Sequence, residues 1–222
     1  HDNADIACAN FETQNLCDIM ISLQPKVSSG GGKSRDEVIE EVATSMLQRG
    51  IAPFPLDEII KRYPLSYNES MNTVLAQECQ RYNKLINMYN RSLQDLLKAL
   101  KGLVVMSSEL EAMSDSLYSN QVPAIWTAVA YPSLKLLGPW VDDLTQRIDF
   151  IQKWDDGGPP AAYWISGFFF PQAFMTGTLQ NYARKHTVAI DKVSFGFKVL
   201  REEPEELKEK PEDGCYIFGL FL

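Results

Sequence analysis

The 222-residue chain is 45% hydrophobic and 23% charged, the balance of an ordinary folded protein with apolar material for one large core or two modest ones. Its formal net charge of −8 argues against a nucleic-acid partner, because no basic surplus is present to replace phosphate counterions. Two histidines, His1 and His186, are too few for a histidine-built metal centre, and the most apolar stretch, 161–174, is too short to span a bilayer and contains Pro171.

Residues 1–33 read as polar helix or loop, a short strand near residues 18–23, and a glycine loop. That strand feeds Gly30-Gly31-Gly32, then Lys33-Ser34, then a helical pattern, which is the order found in a phosphate-cradling loop. The spacing fails, however. A working loop needs a glycine five residues before Gly32, and Val27 stands there, a β-branched residue poorly suited to positive φ. The second requirement, an apolar strand ending in an acid that holds magnesium, is mimicked by "IAPFPLDE" (51–58), but Pro53 and Pro55 would break a strand's ladder. Gly32, Lys33 and Ser34 are therefore read as a mimic, with Ser34 capping the helix that follows and no cofactor bound there. Asp57 reads as the N-cap of a short helix from Glu58 to Tyr63.

From Arg35 the pattern is helical, with Val38, Ile39, Val42, Met46 and Leu47 on one face and Gly50 at the end. Leu75, Cys79, Tyr82, Ile86, Tyr89, Leu93, Leu96 and Leu100 then alternate steps of four and three. This seam fits either a coiled coil with another chain or the inward stripe of a helix in a bundle; Tyr and Cys at seam positions favour the bundle. Ser108-x-x-Glu111 reads as a capping box opening a helix through Leu117. "AYPSLKLLGPW" (130–140) is the best internal boundary, and Val141, Leu144, Ile148 and Ile151 mark an amphipathic helix beyond it. "DDGGPP" (155–160) reads as a turn, and 171–186 as a helix with Pro171 in its first turn. Val193, Phe195, Phe197 and Val199 alternate as a half-buried strand, 201–214 reads as a solvated loop, and "CYIFGLFL" as a second strand. The fold class is mainly α, with a small β portion at the C-terminal end. The start at His1 and the apolar finish lead one to expect a piece of something longer.

No nucleophile-and-base arrangement is legible. His186 sits in "ARKHT" as an exposed helix end, while Asp142-Asp143 begins a helix and Asp155-Asp156 sits in a turn, so capping or solvation explains both pairs. Catalytic and metal-ligating residues are expected to be absent. Cys8, Cys17, Cys79 and Cys215 form no close pair, so reduced thiols in a cytosolic protein are expected, although the fold can still bring two together. The residues singled out for packing or interface roles are Trp126, Trp140, Trp164, Phe168, Phe169 and Phe170. If Trp164 and Phe168 pack between domains, Trp164→Ala is expected to cost about 3–5 kcal/mol.

"HDNADI", "GGGKSRDEVIEE", "VPAIWTAVAYPSLKLLGPWVDDL" and "YWISGFFFPQAFMTGTLQNYARK" together resemble the C-terminal region of dynein heavy chains, in the axonemal rather than the cytoplasmic form. The resemblance covers essentially the whole sequence. It implies that residues 1–34 end the large subdomain of the sixth AAA+ module, 35–137 form its helical lid, and 138–222 begin the C-terminal domain, with the late strands opening a partial barrel. It implies a non-catalytic segment of a microtubule motor whose ATP and magnesium sites lie in earlier modules. The partners implied are the other AAA+ modules, intermediate and light chains, and microtubules, in the cytoplasm and the axoneme of cilia and flagella. It implies neither a nucleic-acid nor a membrane partner.

Overall fold

A computed structural model describes residues 33–219, together with Thr13. The strand expected near residues 18–23, the three glycines before Lys33, and Cys8 and Cys17 lie outside the described residues. The remainder is mainly helical, as the patterning requires: α1 (Arg35–Gln48), α2 (Leu56–Arg62), α3 (Ser70–Leu100), α4 (Ser108–Tyr118), α5 (Ala124–Thr127), α6 (Leu137–Gly157) and α7 (Pro171–Lys185). Strands β1 (Ala162–Trp164) and β2 (Tyr216–Phe218) pair in parallel, with Ala162 opposite Tyr216 and Trp164 opposite Phe218. Among the described residues no helix is long and apolar enough to cross a membrane.

The protein divides into two compact units. One takes residues through Ile51 with Met88–Asp143, and the other takes Ala52–Asn87 with Leu144 onward. Helices α3 and α6 contribute residues to both. In the first unit α1 packs on α4. Ile39, Ala43, Met46, Tyr89, Leu93, Leu96, Met113, Leu117, Trp126 and Trp140 are buried. Helix α4 starts one residue earlier than its capping signal suggests: Ser107, not Ser108, accepts the Leu110 N–H at 3.3 Å. Either serine can cap a helix, and the backbone turns extended at Ser107, so its side chain faces the free N–H groups.

In the second unit Ile59, Leu75, Cys79, Tyr82, Leu85, Ile86, Leu144, Ile151, Trp154, Tyr163, Phe168 and Phe174 form the core. Helix α2 begins at Leu56 behind Pro55, so Asp57 lies inside its first turn instead of capping it. The expected turn at 155–160 starts later: α6 continues through Asp155 and Asp156 to Gly157, and the backbone reverses at Gly158, whose φ is +86°. Residues 193–199 do not form a strand. Their alternation is real, but β2 pairs with β1, so the segment has no ladder to join and leaves Phe197 and Val199 exposed.

The seam along α3 resolves in favour of a bundle. Leu75, Cys79, Tyr82, Ile86, Tyr89, Leu93 and Leu96 are all fully buried within this one polypeptide, which leaves no apolar stripe for a second one.

Candidate functional site

The lysine-serine pair is occupied by its own helix. Ser34 Oγ accepts the Glu37 N–H at 3.3 Å, and the Ser34 N–H donates to Glu37 Oε2 at 2.8 Å, a complete capping box. Lys33 Nζ lies 2.6 Å from Glu41 Oε2, and that hydrogen bond raises the lysine above its ordinary range. A phosphate at this helix N-terminus would meet the Glu37 carboxylate already seated there.

Two of the singled-out aromatics organise the first unit. Trp126, on the single-turn helix α5, is fully buried, and its Nε1–H donates to Ser92 Oγ on α3 at 2.8 Å. Its ring stacks on Trp140 with centroids 5.7 Å apart and planes 16° from parallel. Tyr131 also stacks on Trp140, with centroids 6.2 Å apart, and Tyr89 lies 4.8 Å from Trp126. The Tyr89 hydroxyl donates to the Met46 carbonyl of α1, and burial pushes that phenol above its usual range. Four rings thus tie α1, α3, α5 and α6 together through apolar area plus two buried polar contacts.

The other four singled-out residues belong to the second unit and differ in exposure. Phe168 is buried, stacked 4.6 Å from Phe174 and edge-on to Trp154. Trp164 is half-buried, so truncating it removes less buried area than truncating Trp126, and the expected cost falls accordingly. Its ring has Phe150 against its edge and the Arg147 guanidinium 5.6 Å from its centroid. A Cβ on Gly167 or Gly219 would fall 2.5 Å from that ring, so both positions need glycine for the close approach. Phe169 is half-buried and Phe170 is exposed.

A buried carboxylate with no distinguishing motif around it holds these residues in place. Glu78, fully buried on α3, accepts the backbone N–H groups of Phe169 and Phe170, the latter at 3.0 Å. These donors precede α7, so Glu78 fastens to α3 the segment that leads into that helix. Burial raises the Glu78 carboxyl above its ordinary range, against the pull of the two N–H groups and of Arg81 and Arg147. Arg81 sits 3.5 Å from Glu78 Oε1 and lies over the Phe170 ring. Tyr82 donates its hydroxyl proton to the Gly167 carbonyl at 2.8 Å. The only sequence signal for this clamp is a lone acid beside the seam, between Leu75 and Tyr82.

The acidic pairs are occupied as well, and more deeply than capping or solvation implied. Asp155 is buried and meets Arg62 Nη1 at 2.7 Å; Asp143 is buried and meets Lys135 Nζ at 2.6 Å; Asp142 pairs with Arg49 at 2.5 Å. His186 Nε2 lies 2.8 Å from Asp213 Oδ1. Among the described residues no three His, Cys, Asp or Glu side chains are grouped to hold a metal ion.

The arrangement is a helical scaffold in which rings, caps and ion pairs fasten one segment to another. Residues 10–222 match the family described as the C-terminal domain of the dynein heavy chain, and the protein belongs to that family. It is 57% identical over all 222 residues to dynein axonemal heavy chain 1 of Homo sapiens and 50% identical to dynein axonemal heavy chain 3 of Mus musculus, covering 5% of each relative. To dynein axonemal heavy chain 12 of Homo sapiens it is 43% identical, covering 7% of that protein. The 222 residues thus span a small fraction of the length of the curated relatives they match.

Proposed function

We propose that this protein is a structural and mechanical segment of an axonemal dynein heavy chain, a minus-end-directed microtubule motor that drives ciliary and flagellar beating. The observation that carries the reading is the match along its entire length to axonemal heavy chains of which it covers only a few per cent. In this reading residues 1–34 end the sixth AAA+ module, 35–137 form its lid and 138–222 begin the C-terminal domain. The segment closes the ring and passes nucleotide-driven changes toward the linker and the stalk. ATP and magnesium are bound elsewhere in the parent protein. The other AAA+ modules, intermediate and light chains and microtubules are its partners, and the axoneme is its location.

The engagement of Lys33 by Glu41 and of Ser34 by Glu37 supports a segment without a nucleotide site of its own. The test has two arms. A fluorescent ATP analogue is titrated into the 222-residue protein and its Lys33→Ala variant, with equal and negligible binding expected. In the full-length heavy chain, Trp126→Ala is expected to leave nucleotide binding intact while microtubule gliding slows relative to ATP turnover. Binding that Lys33→Ala abolishes, or gliding unaffected by Trp126→Ala, would overturn the proposal.

A further inference from the structure

Helix α7 ends in a tight C-terminal motif. The Val188 N–H donates to the Ala183 carbonyl at 2.9 Å and the Thr187 N–H to the Arg184 carbonyl at 3.3 Å, which places Thr187 just past the cap residue His186. That position requires left-handed backbone, and Thr187 has φ +54°. At the same kind of helix end the protein uses Gly50, Gly102 and Asn120, residue types that tolerate positive φ. A β-branched residue there is strained, and strained positions held by their surroundings concentrate at sites of function. The Thr187 side chain is exposed, and its hydroxyl has no hydrogen-bond partner among the described residues. Nothing structural therefore accounts for threonine where glycine fits better.

Its surroundings are specific. Arg184, Lys185 and His186 precede it, so a basic side chain stands three residues before an exposed hydroxyl. Arg184 donates to Ser70 Oγ at 2.7 Å and lies 4.1 Å over the Tyr67 ring, so a kinase must draw it from those contacts as the last turn of the helix opens. Two of these side chains fasten a distant loop. Lys185 Nζ meets Asp213 Oδ1 at 2.8 Å and the Glu212 carbonyl at 2.7 Å, while His186 Nε2 meets the same Asp213 oxygen at 2.8 Å. The His186 hydrogen bond, then that of Lys185, holds the Asp213 carboxyl below its ordinary range. Tyr182 flanks His186 with ring centroids 4.4 Å apart. The fastened loop leads through Cys215 directly into β2.

We propose that Thr187 is a phospho-acceptor for a basophilic protein kinase, and that its phosphorylation unfastens residues 212–215 from the end of α7. In the transfer the Thr187 Oγ1 attacks the γ-phosphorus of ATP held by the kinase. The bond to the ADP oxygen breaks, and the hydroxyl proton passes to the kinase's base. The product carries a charge of about −1.5 to −2 beside Lys185 and His186, more than the single charge of Asp213. The phosphate draws Lys185 and His186 away from Asp213, and the loop loses its fastening.

The test uses the full-length heavy chain that carries this segment, incubated with ATP and a kinase that recognises arginine three residues before its target. Phosphate is mapped by mass spectrometry, and amide exchange is followed over 212–218. Phosphate is expected at Thr187 and absent from Thr187→Ala. Exchange over 212–218 is expected to quicken severalfold on phosphorylation, matching unphosphorylated Asp213→Asn, which removes the fastening directly. Absence of phosphate at Thr187, phosphate without faster exchange, or Asp213→Asn exchange unchanged from the parent would each overturn the proposal.

Discussion

The contact between Trp126 and Ser92 offers a direct measure of how the first unit is held. The indole N–H belongs to a fully buried side chain and donates to Ser92 Oγ at 2.8 Å, so removing that oxygen takes away its hydrogen-bond partner. Ser92→Ala leaves the donor orphaned, which costs about 1–3 kcal/mol. Trp126→Phe removes the donor and keeps an aromatic ring between Tyr89 and Trp140. Ser92 then retains its bond to the Tyr89 carbonyl at 3.1 Å, so no group is left stranded. In the Trp126→Phe background, Ser92→Ala should therefore lose most of its effect. The resulting coupling should fall at about 0.5–3 kcal/mol, as for residues that share one interaction. Urea unfolding of the parent and its three variants, followed by far-UV circular dichroism at constant slope, measures this cycle. An equal cost of Ser92→Ala in both backgrounds would show that the indole–hydroxyl bond is not what stabilises the four-ring stack.

Glu78 should make stability depend on pH in a particular direction. Its folded-state pKa is raised, so its contribution is fully present below the ordinary carboxyl range and is lost as pH rises through the raised value. Glu78→Gln does not titrate, so its stability relative to the parent should improve as pH rises through that window; a flat difference between pH-matched unfolding curves would refute the assignment. Gly167→Ala places a methyl 2.5 Å and 2.9 Å from two Trp164 ring carbons and should cost about 1–3 kcal/mol, whereas Gly196→Ala, in open space, should cost little by thermal unfolding. Burial pushes the Cys79 thiol up to about 12, so in the folded protein iodoacetamide should modify half-buried Cys215 before Cys79, as peptide mass mapping would reveal. Thr187→Gly relieves the left-handed strain and should raise stability by about 0.5–1 kcal/mol in chemical denaturation, with a loss counting against the strain itself.

Much of the local structure was legible in the residues. Helix α1 follows from Ser34 and Glu37 at its start and Gly50 at its end, and α7 from Pro171 in its first turn. The α3 seam announced an inward stripe because burial at a period near 3.6 needs only the helix's own spacing. The spacing of the lysine loop departs from the phosphate-cradle pattern at Val27, where that pattern asks for a glycine. The unusual strings identified the family without reference to any fold.

Other features depended on residues far apart in sequence. Whether Val193 to Val199 becomes a strand is decided by a neighbour that offers N–H and C=O groups, and β2 pairs with β1 instead. Whether Asp155 is solvated or buried depended on Arg62, ninety-three positions away. The role of Glu78 could not be read from α3, because the N–H groups that justify a buried carboxylate belong to Phe169 and Phe170. Of six aromatic residues with similar composition signals, the fold buries Trp126, Trp140 and Phe168, half-buries Trp164 and Phe169, and exposes Phe170. Periodicity, caps and turn residues act within a few positions of one another, so the residue order alone places the helices and picks the face that turns inward. Which charge meets which partner, and which ring is enclosed, depends on distances between remote segments, and those are fixed when the helices pack.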